Sequence, residues 1–383
     1  MAPGQRRARG APAPGTVAEV ARLFLRLGVI GFGGPAAHIA LMREEVVRRR
    51  GWVDDADFLE LVGATNLIPG PNSTELAIHL GHRRAGARGL LVAGACFIVP
   101  AVVIVGVLAW LYRSHGTDPA VADLRYGILP VIIAIVAHAL YGLGRTALRG
   151  DAAVLTTVLA IGATVGYVAH LHELAVLVGA GAISAMWAGR DRVRPARAAA
   201  WVLPLGAAPP SLWRLLAVFL EIGSVLYGSG YVLLAFLQRH LVDDLGWLTS
   251  RQLLDAIAVG QLTPGPVFTT ATFVGWQVDG PAGAAVATVG IFAPSFVFVA
   301  LLGRIVPWMR ARPVAKAFLG GVTAASLGLM VGVLIDLADA ALVDALTIGV
   351  AAVALGLLVR TKVSSTWLIA AGVLVGAVHA LVT

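Results

Sequence analysis

Charge is scarce in this chain. Only 13% of its 383 residues are Asp, Glu, Lys or Arg, against 58% hydrophobic. A soluble domain of this size needs far more polar surface, so a polytopic membrane protein is the class that remains. Cysteine is nearly absent too: the single Cys96 allows no intrachain disulfide and indicates no thiol metal site, and its apolar setting makes it a packing residue. Also missing are a Walker-type phosphate loop, a His-Glu-x-x-His pair and a Ser-centred nucleophile elbow. ATP-driven pumping and standard hydrolase chemistry therefore have no support, and the chain is expected to be no enzyme and to need no cofactor. His38, His79 and His82 lack a ligand partner set, so no metal site is expected.

What charge there is leans positive, at +8. In a soluble protein that would suggest nucleic acid, but here the arginines cluster in short loops between apolar runs, where they orient spans in a bilayer. Residues 1–16, with Arg6, Arg7 and Arg9 among Ala, Pro and Gly, are expected to be a disordered basic tail rather than a secretory signal. Twelve apolar segments follow, six in residues 17–189 and six in 212–383, separated by an Arg- and Pro-rich linker at 190–211. Each is near the roughly 20 residues that a spanning helix needs.

The two halves repeat. Pro69-Gly70-Pro71 returns as Pro264-Gly265-Pro266, an offset of 195 residues that also carries Gly51-Trp52 onto Gly246-Trp247 and Gly28 onto Gly223. Loops rich in arginine (83–88, 145–149, 190–197, 304–316, 360–362) are expected on the cytoplasmic side and acidic ones (118–123, 170–173, 336–344) outside, which puts equivalent loops on opposite sides. The fold expected is thus an all-α polytopic membrane protein of two homologous halves, inverted relative to one another, with Pro-Gly-Pro-broken helices meeting at mid-membrane. Loop charges demand an even number of crossings in residues 1–82 and an odd number in 198–279, so at least one broken segment is expected to be re-entrant, leaving ten to twelve spans.

Pro-Gly-Pro inside an apolar segment removes two backbone donors and forbids regular helix, which lipid tolerates only beside a protein-lined cavity. The helix entering each break starts at a capping pattern, Asp54 with Asp57 and Thr249 with Gln252, after a Gly-Trp whose Trp52 or Trp247 suits the headgroup zone. From Asp54 to Pro69 is 15 residues, roughly 22 Å of helix. A second half-helix beyond the break aims its first N–H groups and positive dipole end into the cavity, which attracts an anion. Candidate substrate-binding residues are therefore Pro69, Gly70, Pro71, Ser73 and Thr74 with Asn66, and Pro264, Gly265, Pro266, Thr269 and Thr270 with Gln261 and Thr263. The hydroxyls can equally be helix caps, and the amides can satisfy carbonyls that proline frees. Gly33 and Gly34, matched by Gly228 and Gly230, mark either close helix packing or unwound backbone facing the cavity.

Three charged residues in apolar segments are coupling candidates: Glu75, Arg26 and Glu221, the last two equivalent in the repeat. An intramembrane carboxylate is costly and functional by default, and as the neutral acid Glu75 can carry a proton. Its alternative is a structural pair with Arg26. Glu60 and Asp255, also in register, lie under two turns into their helices and are expected on a solvated headgroup-level face.

Gly33-Gly34-Pro35-Ala36-Ala37-His38-Ile39, the paired Gly-Trp, Asn66-Leu67-Ile68-Pro69-Gly70-Pro71 and Gly260-Gln261-Leu262-Thr263-Pro264-Gly265-Pro266 together resemble the chromate ion transporter family, in its long-chain two-domain form, over about residues 20–380. The resemblance implies efflux of chromate across a bacterial inner membrane, with sulfate as a close analogue and a multi-pass chain as its vehicle. Ser229 departs from the run of three glycines usual in the second-half motif. Partners expected are the oxyanion and the lipid bilayer, with no nucleic acid; a homodimer is left open, as is a passive anion channel.

Overall fold

The computed structural model describes residues 15–32, 34–115, 119–147, 153–188, 211–226, 232–310, 312–361 and 363–382. The expected basic tail and linker lie almost wholly outside these residues, as do Gly33, Gly228, Ser229 and Gly230. Among the described residues there are fourteen α-helices and no strand. In the first half they are α1 (Val17–Ile30), α2 (Gly34–Arg43, running on through a π-helical stretch Glu44–Arg49), α3 (Asp55–Thr65), α4 (Asn72–His115), α5 (Pro119–Ala147), α6 (Ala153–Val168) and α7 (Glu173–Ala188). The second half repeats them as α8 (Leu212–Val225), α9 (Leu233–Leu237, with π-helical Gln238–Asp244), α10 (Ser250–Leu262), α11 (Thr270–Arg310, after a 3-10 turn Val267–Thr269), α12 (Pro313–Ala341), α13 (Ala345–Arg360) and α14 (Ser365–Val382).

α4 and α11 are each two helices joined at a sharp turn. Ala85 (φ −140°) with Gly86 (φ +62°) makes one turn, and Asp279 (φ −146°) with Gly280 (φ +56°) the other. The arms on either side fold back so tightly that a Cβ on Gly81 or Gly89, or on the equivalent Gly275 or Gly283, would overlap the facing backbone carbonyl. Backbone approach of this kind is how helices associate without a hydrophobic driving force between them.

These turns show which ends share a face. Arg83 pairs with Asp57 at 3.0 Å and Arg84 with Glu19 at 3.1 Å, while Trp52 Nε1 donates to Glu19 Oε1 at 3.1 Å. The starts of α1 and α3, the end of α2 and the end of the first arm of α4 therefore lie together on one face, here called basal. Residues 15–84 enter the molecule twice and leave it twice on that face, as two re-entrant hairpins, α1–α2 and α3 with residues 72–84. The second arm of α4 then runs 29 residues, about 43 Å, to the opposite, distal face, where Arg113 donates to the Trp276 carbonyl at 3.2 Å beside the Asp279-Gly280 turn. The second half thus inserts its own two hairpins from the distal face, and the repeats are inverted.

Four of the twelve apolar segments, at 17–41, 58–80, 212–236 and 252–275, are accordingly hairpins, not spans, and this gives the even number of crossings that loop charges demanded of residues 1–82. Among the described residues four helices are long and apolar enough to cross a membrane: α4, α5, α11 and α12. α6, α7, α13 and α14 are shorter and apolar. They interlock the halves: α12 packs along α6 and α7, and α5 packs along α13 and α14. A Cβ on Gly328 would overlap the Ala160 carbonyl, and one on Gly127 that of Gly372. Outward-facing Val103, Val107, Trp110, Val158, Ile161, Val289, Val297, Trp367 and Leu374 are exposed, an apolar girdle of the kind that spanning helices present.

Trp52 departs from its headgroup expectation. It is buried, with the Arg84 and Arg50 guanidiniums 5.1 and 5.8 Å from its ring and its N–H spent on Glu19. Asp255 also differs from the solvated face expected of it: it is 6% exposed, accepts from Tyr112 Oη at 2.6 Å and lies 3.1 Å from Arg125 Nε, both from the first half. Its repeat equivalent Glu60 is exposed as expected. A polar cross-link between halves holds Asp255 inside.

Candidate functional site

All four hairpin tips meet where the halves cross. α3 is nucleated by Asp54, whose carboxylate accepts from the Asp57 amide at 2.8 Å, and α10 by a full Thr249–Gln252 capping box. Each runs up to its Pro-Gly-Pro, where proline ends the backbone ladder and the central glycine takes a conformation that side chains avoid, φ +133° at Gly70 and +89° at Gly265. The Gly70 amide donates to the Leu226 carbonyl at 2.8 Å, and the Gly265 amide to the Gly31 carbonyl, also at 2.8 Å. Gly31 and Leu226 are the C-caps of α1 and α8 and are themselves equivalent in the repeat. Each half therefore clasps its break onto the broken helix end of the other. Positive amino ends of α4 and α11 face negative carboxyl ends of α1 and α8 there, a favourable dipole arrangement.

The two clasps are alike in backbone and unlike in side chains. Beside Gly70 lie Glu75 and Ser295: a Cβ on Gly70 would overlap Glu75 Oε1 and sit 2.7 Å from Ser295 Oγ. Glu75 and Ser295 are both 0% exposed, and Ser295 donates to Glu75 Oε1 at 3.4 Å. Glu75 Oε2 and Thr74 Oγ1 are buried with no hydrogen-bond partner among the described residues. Beside Gly265 the same positions hold Thr270 and Ala101, with Ala101 Cβ 2.8 Å from a Cβ on Gly265. Thr270 donates its hydroxyl hydrogen to the Val267 carbonyl, Thr269 to Pro266 and Thr263 to Gly260. A hydroxyl has one hydrogen, so these three have none to offer an anion in this arrangement.

The amides flanking the breaks also part company. Asn66 is exposed and accepts from Asn72 Nδ2 at 2.7 Å, whereas Gln261 is buried. Ser73 turns to His38, whose Nδ1 lies 3.2 Å from Ser73 Oγ while Nε2 is 2.8 Å from the Gly31 carbonyl. A carbonyl can only accept, so Nε2 carries the hydrogen and Nδ1 accepts from the serine. His38 thereby braces the Gly31 carbonyl that holds Gly265. Gly34, at φ +77°, opens α2 just beyond this point.

Glu75 has no ion pair with Arg26. Arg26 instead lies 3.5 Å from Glu45 across the α1–α2 hairpin, and Glu221 lies 3.6 Å from His240 across α8 and the stretch after α9. Both members of each pair are related by the 195-residue offset, so the same lock is built twice with its charges exchanged. Among the described residues no group of three or more His, Cys, Asp or Glu side chains could hold a metal ion.

Sequence reading found Glu75, Thr74 and both breaks; it missed Ser295, Ala101 and the role of His38. Ser295 and Ala101 are related by 194 residues, not 195, as are the paired prolines Pro100 and Pro294 and the turns at Gly86 and Gly280. Following that one-residue slip would have paired them. His38 has Leu233 as its counterpart and so leaves no trace in the repeat.

Comparison with known proteins adds the following. The family model described as chromate transporter matches residues 18–185 and again 213–377. The chromate transport protein of Cupriavidus metallidurans is 32% identical over 374 residues, 95% of this chain and 93% of that one. The probable chromate transport protein of Synechococcus elongatus is 30% identical over 349 residues, 88% of each chain. An uncharacterized transporter of Methanocaldococcus jannaschii is 26% identical over 338 residues, 82% of this chain and 83% of that one. No solved structure matches.

Proposed function

The chain belongs to the chromate transporter family, and from that premise we propose that it exports chromate, or a related tetrahedral oxyanion such as sulfate, across a bacterial inner membrane and so confers chromate resistance. The observation that carries this reading is the crossed clasp, in which two inverted halves bring broken helix ends together at mid-membrane around a buried carboxyl. Inverted repeats with broken helices at the midplane are a common plan of secondary transporters. Glu75 is wholly buried, and in this reading alternating access comes from parting one clasp and then the other.

The substrate region is the break of the first half, with Gly70, Thr74 and the first amides of α4, facing Ser295 of the second. Loop charge makes the basal face cytoplasmic, since Arg43, Arg48, Arg49, Arg50, Arg83, Arg84 and Arg88 gather there. An inside-negative potential drives a dianion outward with about 2.3 kcal/mol per charge per 100 mV, so no ATP is needed. Glu75 is the coupling group. Arg26 and Glu221 hold hairpins shut.

Chromate uptake into everted vesicles tests this, with sulfate, molybdate and phosphate as competitors and with potential and pH gradient collapsed separately. Saturable, potential-dependent chromate uptake with counter-flow of trapped substrate is the expected result. Flux without saturation or counter-flow would make the protein a channel, and no oxyanion flux under any gradient would end the reading.

A further inference from the structure

The Glu75 carboxyl occupies a place whose chemistry suits an anion. It sits in the first turn of α4, where the helix dipole favours negative charge. It lies against the side-chain-free face of Gly70, accepts from Ser295 and is wholly buried. Beside it the Thr74 hydroxyl, also 0% exposed, has no hydrogen-bond partner among the described residues, and neither does Glu75 Oε2. No charged side chain pairs with it among the described residues. On α4 the nearest titratable group is His79, one turn on, and on α2 it is His38, engaged with Ser73 and Gly31. α11 presents Ser295, the loop after α8 presents the Leu226 backbone, and the acids of α3 stand toward the basal end, Asp57 in its pair with Arg83 and Glu60 exposed. This group repeats the features of a bound oxyanion, two oxygens at a helix start with a hydroxyl donor and a second hydroxyl beside it, and its Oε1 fills the open face of Gly70.

We propose that the Glu75 carboxylate is a tethered stand-in for the transported anion: ionised, it fills the anion's place beside Gly70, and protonated, it yields that place. This rests on the oxyanion-transport reading above and adds the sense of its coupling. The neutral acid loses its attraction to the α4 dipole and most of its bond from Ser295, and swings aside; an anion oxygen then takes the amino end of α4, the Thr74 hydroxyl and Ser295. Proton and oxyanion therefore bind together, and by linkage each raises the affinity of the other. The equivalent place beside Gly265 has no such role, because Thr270 is spent on Val267 and Ala101 offers no donor.

The experiment is calorimetric titration of sulfate into the purified full-length protein in nanodiscs across a pH series, because sulfate stays a dianion where chromate changes its protonation. In wild type the apparent dissociation constant should rise with pH, approaching about tenfold per unit where one proton is linked. Glu75→Gln should bind sulfate with pH-independent affinity, at least as tightly as wild type at its most acid. Ser295→Ala removes a donor to the carboxylate and should move the wild-type curve to higher pH, which decides the matter even if Glu75→Gln fails to fold. A flat wild-type profile, a retained slope in Glu75→Gln, or loss of sulfate binding at every pH in a folded Glu75→Gln would each overturn the proposal while leaving oxyanion transport standing. If wild type binds neither sulfate nor chromate at any pH, the transport reading fails first and this one with it.

Discussion

Replacing Gly70 by alanine loads strain onto the clasp and almost nowhere else. At φ +133° the backbone is in a region that side chains essentially never adopt, and holding a non-glycine residue in such a region costs on the order of 1–3 kcal/mol. The new methyl would also overlap Glu75 Oε1 and approach Ser295 Oγ to 2.7 Å, so either the carboxyl moves or the two halves part. A penalty of about 1–3 kcal/mol on the closed arrangement lowers its population about 5- to 150-fold relative to states in which the clasp is open. Chromate counter-flow in proteoliposomes should fall by a factor in that range, since each cycle must pass through the closed state. Two companions calibrate the result. Gly265→Ala, at φ +89° with Ala101 Cβ 2.8 Å away, should lose activity by the same backbone route without touching an acid. Gly63→Ala lies inside α3 with nothing within 4 Å and should transport normally while gaining about 0.5–1 kcal/mol of helix stability. If Gly70→Ala transports at the rate of Gly63→Ala, the clasp is not on the transport path.

Further outcomes follow from other contacts. In a Cys96→Ser background, cysteines at Asp57 and Arg83 should be joined by a short crosslinker and labelled from one face, while a cysteine at Asp279 is labelled from the other; a common labelling face would refute inversion. Exchanging the Arg26–Glu45 pair as Arg26→Glu with Glu45→Arg should restore activity that Arg26→Glu alone loses, measured as chromate resistance of the host; no rescue would mean that Arg26 acts elsewhere. His38→Ala should loosen the Gly31 carbonyl and weaken transport about tenfold, the loss of about 1.4 kcal/mol expected for one buried hydrogen bond, and His38→Asn should not rescue both bonds. At the distal surface, the Asp344 carboxyl is held below the usual carboxylate range first by the backbone amide of Thr347 and then by Tyr126. A depressed value means that its stabilisation of α13 is complete above about pH 4, the unfolded value, and is lost as pH falls through the folded one. Hydrogen exchange at the start of α13 should therefore quicken only below about pH 4, and Asp344→Asn, which keeps the cap, should abolish that pH dependence.

Much of this architecture was legible in the residues. The recurrence of Pro-Gly-Pro, the capping patterns at Asp54 and Thr249 and the exchange of loop charges are local or periodic, and they led to inverted halves joined at broken helices. Hairpins were hidden because a re-entrant pair of short helices and a single spanning helix have the same apolar length; only the parity of the loop charges hinted otherwise, and it took Arg83 on Asp57 to show which segments turn back. The site was legible where it depends on one stretch of chain, as at Glu75. It was not where it depends on the meeting of distant stretches: nothing in the sequence near Ser295 says that it faces Glu75, and Asp255 reads as solvated until Tyr112 and Arg125 arrive from the other half. Arg26 with Glu45 and Glu221 with His240 show a further reason, since a lock kept by geometry with its charges reversed is invisible to residue matching.

The interlocking of the halves bears on how the chain is made. α6 and α7 close on α12, whose first residue is Pro313, although α7 has ended at Ala188. During synthesis these two helices enter the bilayer with their glycine- and alanine-lined faces uncovered and wait for 124 intervening residues. α5 waits longer still, for α13 and α14. The first half is thus an unfinished object until α13 and α14 are translated, and quality control in the membrane meets it in that state. A stop codon in the last two helices should be nearly as damaging as one at the centre of the chain, because it leaves α5, a first-half helix, without its partners.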